Sequence, residues 1–191
     1  MNQALRGYPL DVNYFWTELS PLGMFGADLY NGNGGANWKI GQPKATAWNA
    51  QQLRSLPELQ KFAVELVNRD RTLNNLKPLV TDPLLSQAAQ RYAQDMMDRN
   101  YFSHISPEGK NPRDRYLAVG GSHHVGVGEN IYKGTFSDLG LNYKQVENFQ
   151  RGWMYSNGHR ANILTPKYGK FGYGIAARPN GEIYAVQMFS N

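Results

Sequence analysis

The sequence predicts an α+β fold in which helices pack against a small antiparallel sheet. Two segments with apolar residues at helical spacing come first, and two alternating segments joined by a turn close the chain. Helices that precede and flank paired strands are typical of a layered α+β domain. The 191 residues are enough for one domain, or for one domain with an extension.

The first 57 residues differ in composition from the rest and predict a separate unit. They contain a third of the aromatic residues, including Trp16, Trp38 and Trp48, but little regular periodicity. A flexible tail is usually poor in aromatic residues. We therefore expect residues 1–57 to form an irregular arm that packs on a domain of residues 58–191. A surface for binding a partner is the alternative interpretation of the arm.

The first two helices are defined by the residues that start them. Residues 55–58, Ser-Leu-Pro-Glu, have the spacing of a capping box with an early proline, and helical periodicity follows to about Asn74. Asp82 followed by Pro83 predicts a second start, for a helix that ends near Asn100. We expect the apolar faces of both helices to lie in the core.

The middle of the chain predicts a loop, a strand and a third helix. Residues 101–125 are rich in glycine and proline and predict a loop, and residues 126–133 predict a short strand. A helix begins near Leu141 and is expected to break at residues 157–158, Asn-Gly. Residues 159–164 then predict a short turn.

The end of the chain predicts a β-hairpin. Apolar residues alternate over residues 171–175 and again over residues 183–189. Residues 178–181, Arg-Pro-Asn-Gly, lie between these segments and are typical of a turn.

Composition excludes several classes of protein. There is no cysteine, which excludes a disulfide scaffold, a thiolate metal cluster and a cysteine nucleophile. The formal charge of +5 is spread along the chain, whereas nucleic-acid-binding proteins concentrate their basic residues, so we expect no nucleic-acid partner. No run approaches the roughly 20 apolar residues of a membrane span. A secretory signal peptide is not visible at the start.

Three residues from separate segments are candidates for chemistry. His104 follows the second helix, Glu129 lies in the predicted strand, and His159 opens the predicted turn. Two imidazoles and a carboxylate with an open position form a zinc arrangement used by hydrolases. The alternative is that each residue satisfies local backbone groups. His123 and His124 are adjacent, point to opposite sides of an extended chain and are interpreted as solvated loop residues.

Five short motifs occur in order along the chain: Asn68-Arg69-Asp70-Arg71, Ala88-Ala89 with Met96, Ser103-His104, Gly128-Glu129-Asn130-Ile131 and the run from Trp153 to Leu164. This ordered set resembles the CAP superfamily of cysteine-rich secretory, antigen 5 and plant pathogenesis-related class 1 proteins, also called the SCP domain. The resemblance covers roughly residues 58–189 and is closest to the cysteine-free bacterial branch. It implies an α-β-α sandwich with a central antiparallel sheet and a wide cleft.

The resemblance also implies a cleft lined by two histidines and two glutamates. The matching positions are His104, Glu129 and His159, but Ser156 stands where the second glutamate is expected. The set is incomplete, which argues against an acid–base mechanism with two carboxylates. Ser156 and His159 lack the surrounding motif of a serine hydrolase, and Ser156 is expected to bond the helix end or line the cleft.

Other residues of these motifs predict structural support for the cleft. Asn68 and Arg69 are expected to tie down neighbouring loops, and Asn130 and Asn162 to fix opposite walls. Arg160 is interpreted as the partner of a buried carboxylate.

Three functions remain open on this basis. A binding domain of the extracellular space or cell envelope is the first, with an apolar ligand such as a lipid, a peptide or a cell-surface polymer. The second is a zinc-dependent hydrolase or peptidase that uses His104 and His159 as metal ligands. The third is a structural or adhesive module. We expect a monomer.

Overall fold

The computed structural model describes residues 37–46, 50–136 and 140–191, and within these ranges it contains five helices and four strands. The helices are α1 (Leu56–Leu73), α2 (Pro83–Arg99), α3 (Pro112–Ala118), α4 (Tyr143–Tyr155) and α5 (Asn157–Ile163). The strands are β1 (Val80–Thr81), β2 (Val127–Thr135), β3 (Lys170–Ala177) and β4 (Glu182–Ser190).

The sheet lies between two layers of helices, which confirms the predicted α-β-α sandwich. One core cluster joins α1, α4 and α5 to one face of the sheet, and a second joins α2 and α3 to the other face. The strand order is β1-β3-β4-β2. The three long strands are antiparallel, as predicted, and β3 and β4 form the predicted hairpin. The two-residue β1 pairs with β3 in parallel and was too short to show a pattern.

The starts and ends of the first two helices confirm the sequence prediction. The Ser55 backbone N–H donates to Glu58 Oε2 at 2.8 Å, which is one half of a capping box. Asp82 Oδ1 accepts from the backbone N–H groups of Leu84 and Leu85. Asn100 ends α2 in a left-handed conformation with φ of 54°.

The predictions for the middle of the chain were wrong in two places. The predicted loop 101–125 contains α3, which begins with Pro112 and is capped by Asn111 Oδ1 accepting from the Asp114 N–H at 3.0 Å. This capping signal lay within a glycine-rich stretch. Residues 157–158 do not break a helix but form the first turn of α5, where backbone N–H groups have no helical partner in any case. The break lies at Ser156.

The approach of α2 to the sheet depends on glycines in β3. A Cβ atom at Gly172 would lie 2.2 Å from the backbone carbon of Leu85, and one at Gly174 would lie 2.3 Å from that of Ala89. Because a real side chain does not fit there, α2 packs with its backbone almost on the strand. This close contact sets the position of the loop that follows α2.

The described part of the arm lies against α1 and α4. Ile40 is 1% exposed and belongs to the core cluster of those helices. Trp16 and Trp48 lie outside the described residues, and the division of the chain near residue 57 stays a prediction. No helix among the described residues is long and apolar enough to cross a membrane.

Candidate functional site

His104 and Glu129 meet near the start of β2. His104 lies in the loop after α2, and its Nδ1 is 2.8 Å from Glu129 Oε1 on β2. The Glu129 side chain is 1% exposed, whereas that of His104 is 40% exposed. The carboxylate is therefore buried beneath an imidazole that reaches solvent.

Arg115 on α3 holds the other oxygen of Glu129, and sequence reasoning missed it. Its guanidinium lies 2.6 Å from Glu129 Oε2 and donates to the His104 carbonyl at 3.1 Å. It also lies over the ring of Tyr92 at 3.3 Å from the centroid. The only available signal was the capping motif that starts α3. Arg115 neutralises the buried carboxylate and fixes it in place.

Among the described residues Arg160 pairs with no carboxylate, which contradicts the prediction that it partners a buried one. Arg160 donates to the Met154 carbonyl at 2.9 Å and to Asn157 Oδ1 at 2.6 Å. Its guanidinium lies 4.2 Å from the ring centroid of Trp38. Because α5 is a full helix, Arg160 projects toward the described part of the arm and ties it to that helix.

His159 lies on α5, and its ring is held by Ser156. Its Nδ1 is 2.8 Å from Ser156 Oγ. Burial, together with repulsion from His104, lowers the pKa of His159 to about 4. The ring is therefore neutral near pH 7. Repulsion from His104 acts on the His159 ring only if the two imidazoles lie within electrostatic reach of each other.

Two asparagines join the walls of the cleft. Asn130 Nδ2 donates to the His159 carbonyl at 3.1 Å. Asn162 Nδ2 donates to the Glu129 carbonyl at 3.0 Å and to Asn130 Oδ1 at 2.9 Å. These bonds hold β2 against α5. The backbones of Glu129 and His159 are therefore fixed relative to each other.

Asn68 and Arg69 lie away from the cleft. Asn68 exchanges two hydrogen bonds with the backbone of Leu79 and fixes the connection between α1 and β1. Arg69 pairs with Asp70 at 2.8 Å and with Glu147 at 2.7 Å beneath the arm.

The free nitrogen atoms of the two imidazoles are the chemically open groups of the site. Among the described residues, both oxygens of Glu129 are engaged, and neither His104 Nε2 nor His159 Nε2 makes a hydrogen bond. Within these same residues no group of three His, Cys, Asp or Glu side chains is placed to hold a metal ion. The predicted site thus has two imidazole nitrogens without a hydrogen bond among the described residues, and a pinned carboxylate.

Apolar residues lie close to His104 and Glu129 along the chain. Ile105, next to His104, is 42% exposed, and Phe102 and Val127 are partly buried at the edge of the core on that side. His123 and His124 are exposed in the loop after α3. A separate shallow groove of about 770 Å³ lies between the arm and α1, and its lining includes Leu73.

The comparisons with known proteins give a family and several relatives. Residues 64–189 match CAP, the cysteine-rich secretory protein family. The chain is 39% identical over 134 residues to the uncharacterized protein YkwD of Bacillus subtilis, and 31% identical over 137 residues to its uncharacterized membrane protein YlbC. Each match includes 70% of this chain, but only 48% of YkwD and 36% of YlbC.

Solved structures agree with the observed architecture. An extracellular protein with an SCP domain from Bacillus anthracis matches with a TM-score of 0.58 at 28% identity, over 70% of this chain and 40% of that one. An outer surface protein from Borrelia burgdorferi matches with a TM-score of 0.60 at 18% identity, over 74% of this chain and 98% of that one. The second likeness concerns the fold alone.

Proposed function

The chain belongs to the cysteine-rich secretory protein (CAP) family, and we propose that it is an exported domain that binds a ligand without transforming it. The observation that best supports this proposal is that both carboxylate oxygens of Glu129 already have a partner. Its two oxygens are held by His104 and Arg115 at 2.8 and 2.6 Å. A carboxylate fixed by two donors is poorly suited to accept a proton from substrate or water.

The remaining residues of the cleft support binding rather than acid–base catalysis. Ser156 occupies the position where the family resemblance implies a second carboxylate, and its hydroxyl is bonded to His159. The bond uses Nδ1 of that ring, and no described carboxylate orients the Nε2 atom. Neither a general-base pair nor a nucleophile–base–acid series is assembled from the described residues.

The apolar edge of the cleft favours an amphipathic ligand of the lipid class. Ile105 adjoins His104 in the chain and is 42% exposed, and Val127 lies two residues before Glu129 on β2, so the side chains of Val127 and Glu129 share one face of that strand. A polar head group is expected to lie between the two imidazoles, and a hydrocarbon part to cover the apolar edge. Peptides and cell-surface polymers are the other ligand classes open to this cleft.

Export to the extracellular space or cell envelope is supported by one relative. The SCP-domain protein of Bacillus anthracis, which is 28% identical to this chain, is an extracellular protein. A sequence without cysteine is compatible with bacterial export, because its core does not depend on disulfides.

Zinc binding is the second candidate, favoured by the two free Nε2 atoms. Each imidazole is oriented through Nδ1, by Glu129 in one case and by Ser156 in the other, as is usual for metal-bound histidines. His104 and His159 would be two of its ligands, and a bound zinc ion would supply Lewis acidity there. A zinc hydrolase usually has three protein ligands, and the pinned Glu129 is not free to be the third.

Titration of oleate into the full chain tests the proposed function. We expect saturable binding that Ile105→Asp weakens about tenfold, because a charge replaces apolar contact area. Leu73→Asp is the matched control, since Leu73 is 41% exposed and Ile105 is 42% exposed. Absence of oleate binding, or equal loss in both variants, would contradict the proposed site.

Calorimetric titration with zinc distinguishes the second candidate function, zinc binding, from ligand binding without a metal. Binding that is lost in His104→Ala/His159→Ala and kept in His123→Ala/His124→Ala would place the ion in the cleft. Oleate binding that requires zinc would favour the metal-dependent alternative.

A further inference from the structure

A line of buried side-chain amides crosses the interior from the arm to the cleft. Gln150 Nε2 donates to Asp70 Oδ2 at 2.7 Å, and Gln187 Nε2 donates to Gln150 Oε1 at 2.8 Å. Asn130 Nδ2 then donates to Gln187 Oε1 at 3.0 Å. Asn162 completes the line by donating to Asn130 Oδ1 at 2.9 Å. We refer to Gln150, Gln187, Asn130 and Asn162 as the amide relay.

The strands place the middle of the relay in position. Asn130 on β2 and Gln187 on β4 are partners in the antiparallel ladder, so their side chains lie side by side on one face of the sheet. Gln150 reaches the same face from α4. Asp70, Gln150, Gln187 and Asn130 are each 1% exposed or less, so water does not replace these bonds easily.

Asp70 fixes the direction of every bond in the relay. Its carboxylate accepts four hydrogen bonds: from the Gly41 N–H, from Arg69 Nε and Nη2, and from Gln150 Nε2. A carboxylate accepts only, so Gln150 must present its NH₂ group to Asp70 and its oxygen to the next amide. The same constraint passes to Gln187 and Asn130 in turn.

The far end of the relay controls the walls of the cleft. With its direction fixed, Asn130 directs its NH₂ group at the His159 carbonyl. Asn162 directs its NH₂ group at the Glu129 carbonyl. If the amide of Asn130 were reversed, its oxygen would face the His159 carbonyl oxygen. Its NH₂ group would then face the NH₂ group of Asn162. Both contacts would be repulsive.

We propose that Asp70 is a positioning residue for the cleft, which acts through the amide relay on the backbones of Glu129 and His159. The inference rests on the proposed function in that the positioned cleft is the one that binds ligand. Because Gly41 of the arm donates to Asp70 at 2.9 Å, contact of the arm with α1 supports the same orientation.

Asp70→Asn in the full chain is the direct test, because it changes the direction of hydrogen bonding with little change of shape. The new carboxamide must present its NH₂ group to donors at one of the two oxygen positions, either to Gln150 Nε2 and Arg69 Nη2 or to the Gly41 N–H and Arg69 Nε. The first orientation forces the relay to reverse or to break, and the second removes the constraint from the arm. We expect the side-chain amide NMR signals of Asn130 and Asn162 to shift. We also expect the affinity for oleate to fall about fivefold.

Glu147→Gln is the matched control. Glu147 is also buried, also pairs with Arg69, and accepts from the Lys44 N–H at 2.9 Å, but it is not part of the relay. It should loosen the arm and leave the signals of Asn130 and Asn162 in place. The double change Asp70→Asn/Gln150→Glu moves the carboxylate one step along the relay, and it should restore those signals and the affinity.

Gln187→Leu interrupts the relay and leaves Asp70 unchanged. It is the variant to measure if Asp70→Asn does not fold. It should shift the same two amide signals. The proposal is overturned if neither Asp70→Asn nor Gln187→Leu shifts them, or if Glu147→Gln shifts them equally. These signals are read without ligand, so failure of oleate to bind the unaltered chain would reject the proposed function and leave the relay to be decided by NMR.

Discussion

Two regions of this molecule bury a carboxylate against an arginine, and they differ in what covers the pair. We call Arg69, Asp70 and Glu147 the clamp group; Arg69 holds both carboxylates beneath the arm, and its side chain is 9% exposed. We call Arg115, Glu129 and His104 the cleft group; Arg115 holds Glu129, and the covering residue is His104. The first region is closed by backbone N–H groups, and the second by a titratable ring that reaches solvent.

The difference shows how one type of ion pair serves stability in one place and binding in another. In the clamp group, Gly41 and Lys44 donate backbone hydrogen bonds to the carboxylates, which leaves little for a ligand to contact. In the cleft group, His104 donates from one side of its ring and keeps Nε2 open. The covering group, rather than the ion pair, determines which region can function as a site.

The largest expected effect is the loss of Arg69. Arg69→Met leaves two buried carboxylates without their counter-charge, and we expect the free energy of unfolding to fall by about 5 kcal/mol. Arg115→Met leaves one buried carboxylate, that of Glu129, without its counter-charge. We expect the free energy of unfolding of this variant to fall by about 3 kcal/mol. Urea denaturation of both variants measures the difference. A larger loss in Arg115→Met would contradict the comparison.

Deletion of residues 1–50 removes the cover of the clamp group. It exposes the carboxylates of Asp70 and Glu147 and removes Ile40 from the core, so we expect a loss of about 3 kcal/mol. Unchanged stability in urea would show that the arm does not contribute to the folded domain.

Acid should destabilise the cleft region through His159. Its pKa is about 4 in the folded chain, below the roughly 6.5 of an unfolded chain, so the unfolded state binds the proton first. The stability conferred by the neutral ring is present above pH 6.5 and is lost as the pH falls toward 4. We expect a loss of about 2 kcal/mol, allowing for partial screening of a half-buried ring.

The measurement for this effect is urea denaturation at several pH values between 7 and 4. His159→Gln should flatten that part of the profile, whereas His124→Gln, at an exposed position, should not. An unchanged slope in His159→Gln would assign the pH dependence to other groups.

The smallest expected effect concerns the contact between the arm and α5. Trp38 lies beneath the guanidinium of Arg160 and edge-on to Tyr155 at 5.4 Å between ring centroids. Trp38→Leu keeps apolar volume and removes these ring interactions, so we expect a loss of about 1 kcal/mol. A thermal melt compared with that of Tyr155→Leu would show whether the two rings act together.

The sequence predicted elements whose signals are local. The capping residues Ser55 and Asp82 located two helices, and alternation around the turn at residues 178–181 located the hairpin. The helix α3 was missed because its seven residues lie in a glycine-rich stretch, and Arg115 was missed with it.

The contacts that depend on pairing of distant strands could not be predicted. The neighbourhood of Asn130 and Gln187 follows from the register of β2 against β4, which no spacing in the sequence specifies. The contact of His104 with Glu129 was anticipated as a convergence of separate segments. The bond between Glu129 and Arg115 depends on the position of α3, which sequence reasoning missed. This bond determines which chemistry Glu129 can perform.

The most direct test of the cleft as the binding site is the mapping of backbone amide NMR shifts in the full chain during titration with oleate. We expect the largest shifts at His104, Glu129 and His159, with smaller shifts at the apolar edge near Ile105. Shifts concentrated along the groove between the arm and α1, near Leu73, would contradict the account and place binding beside the clamp group instead.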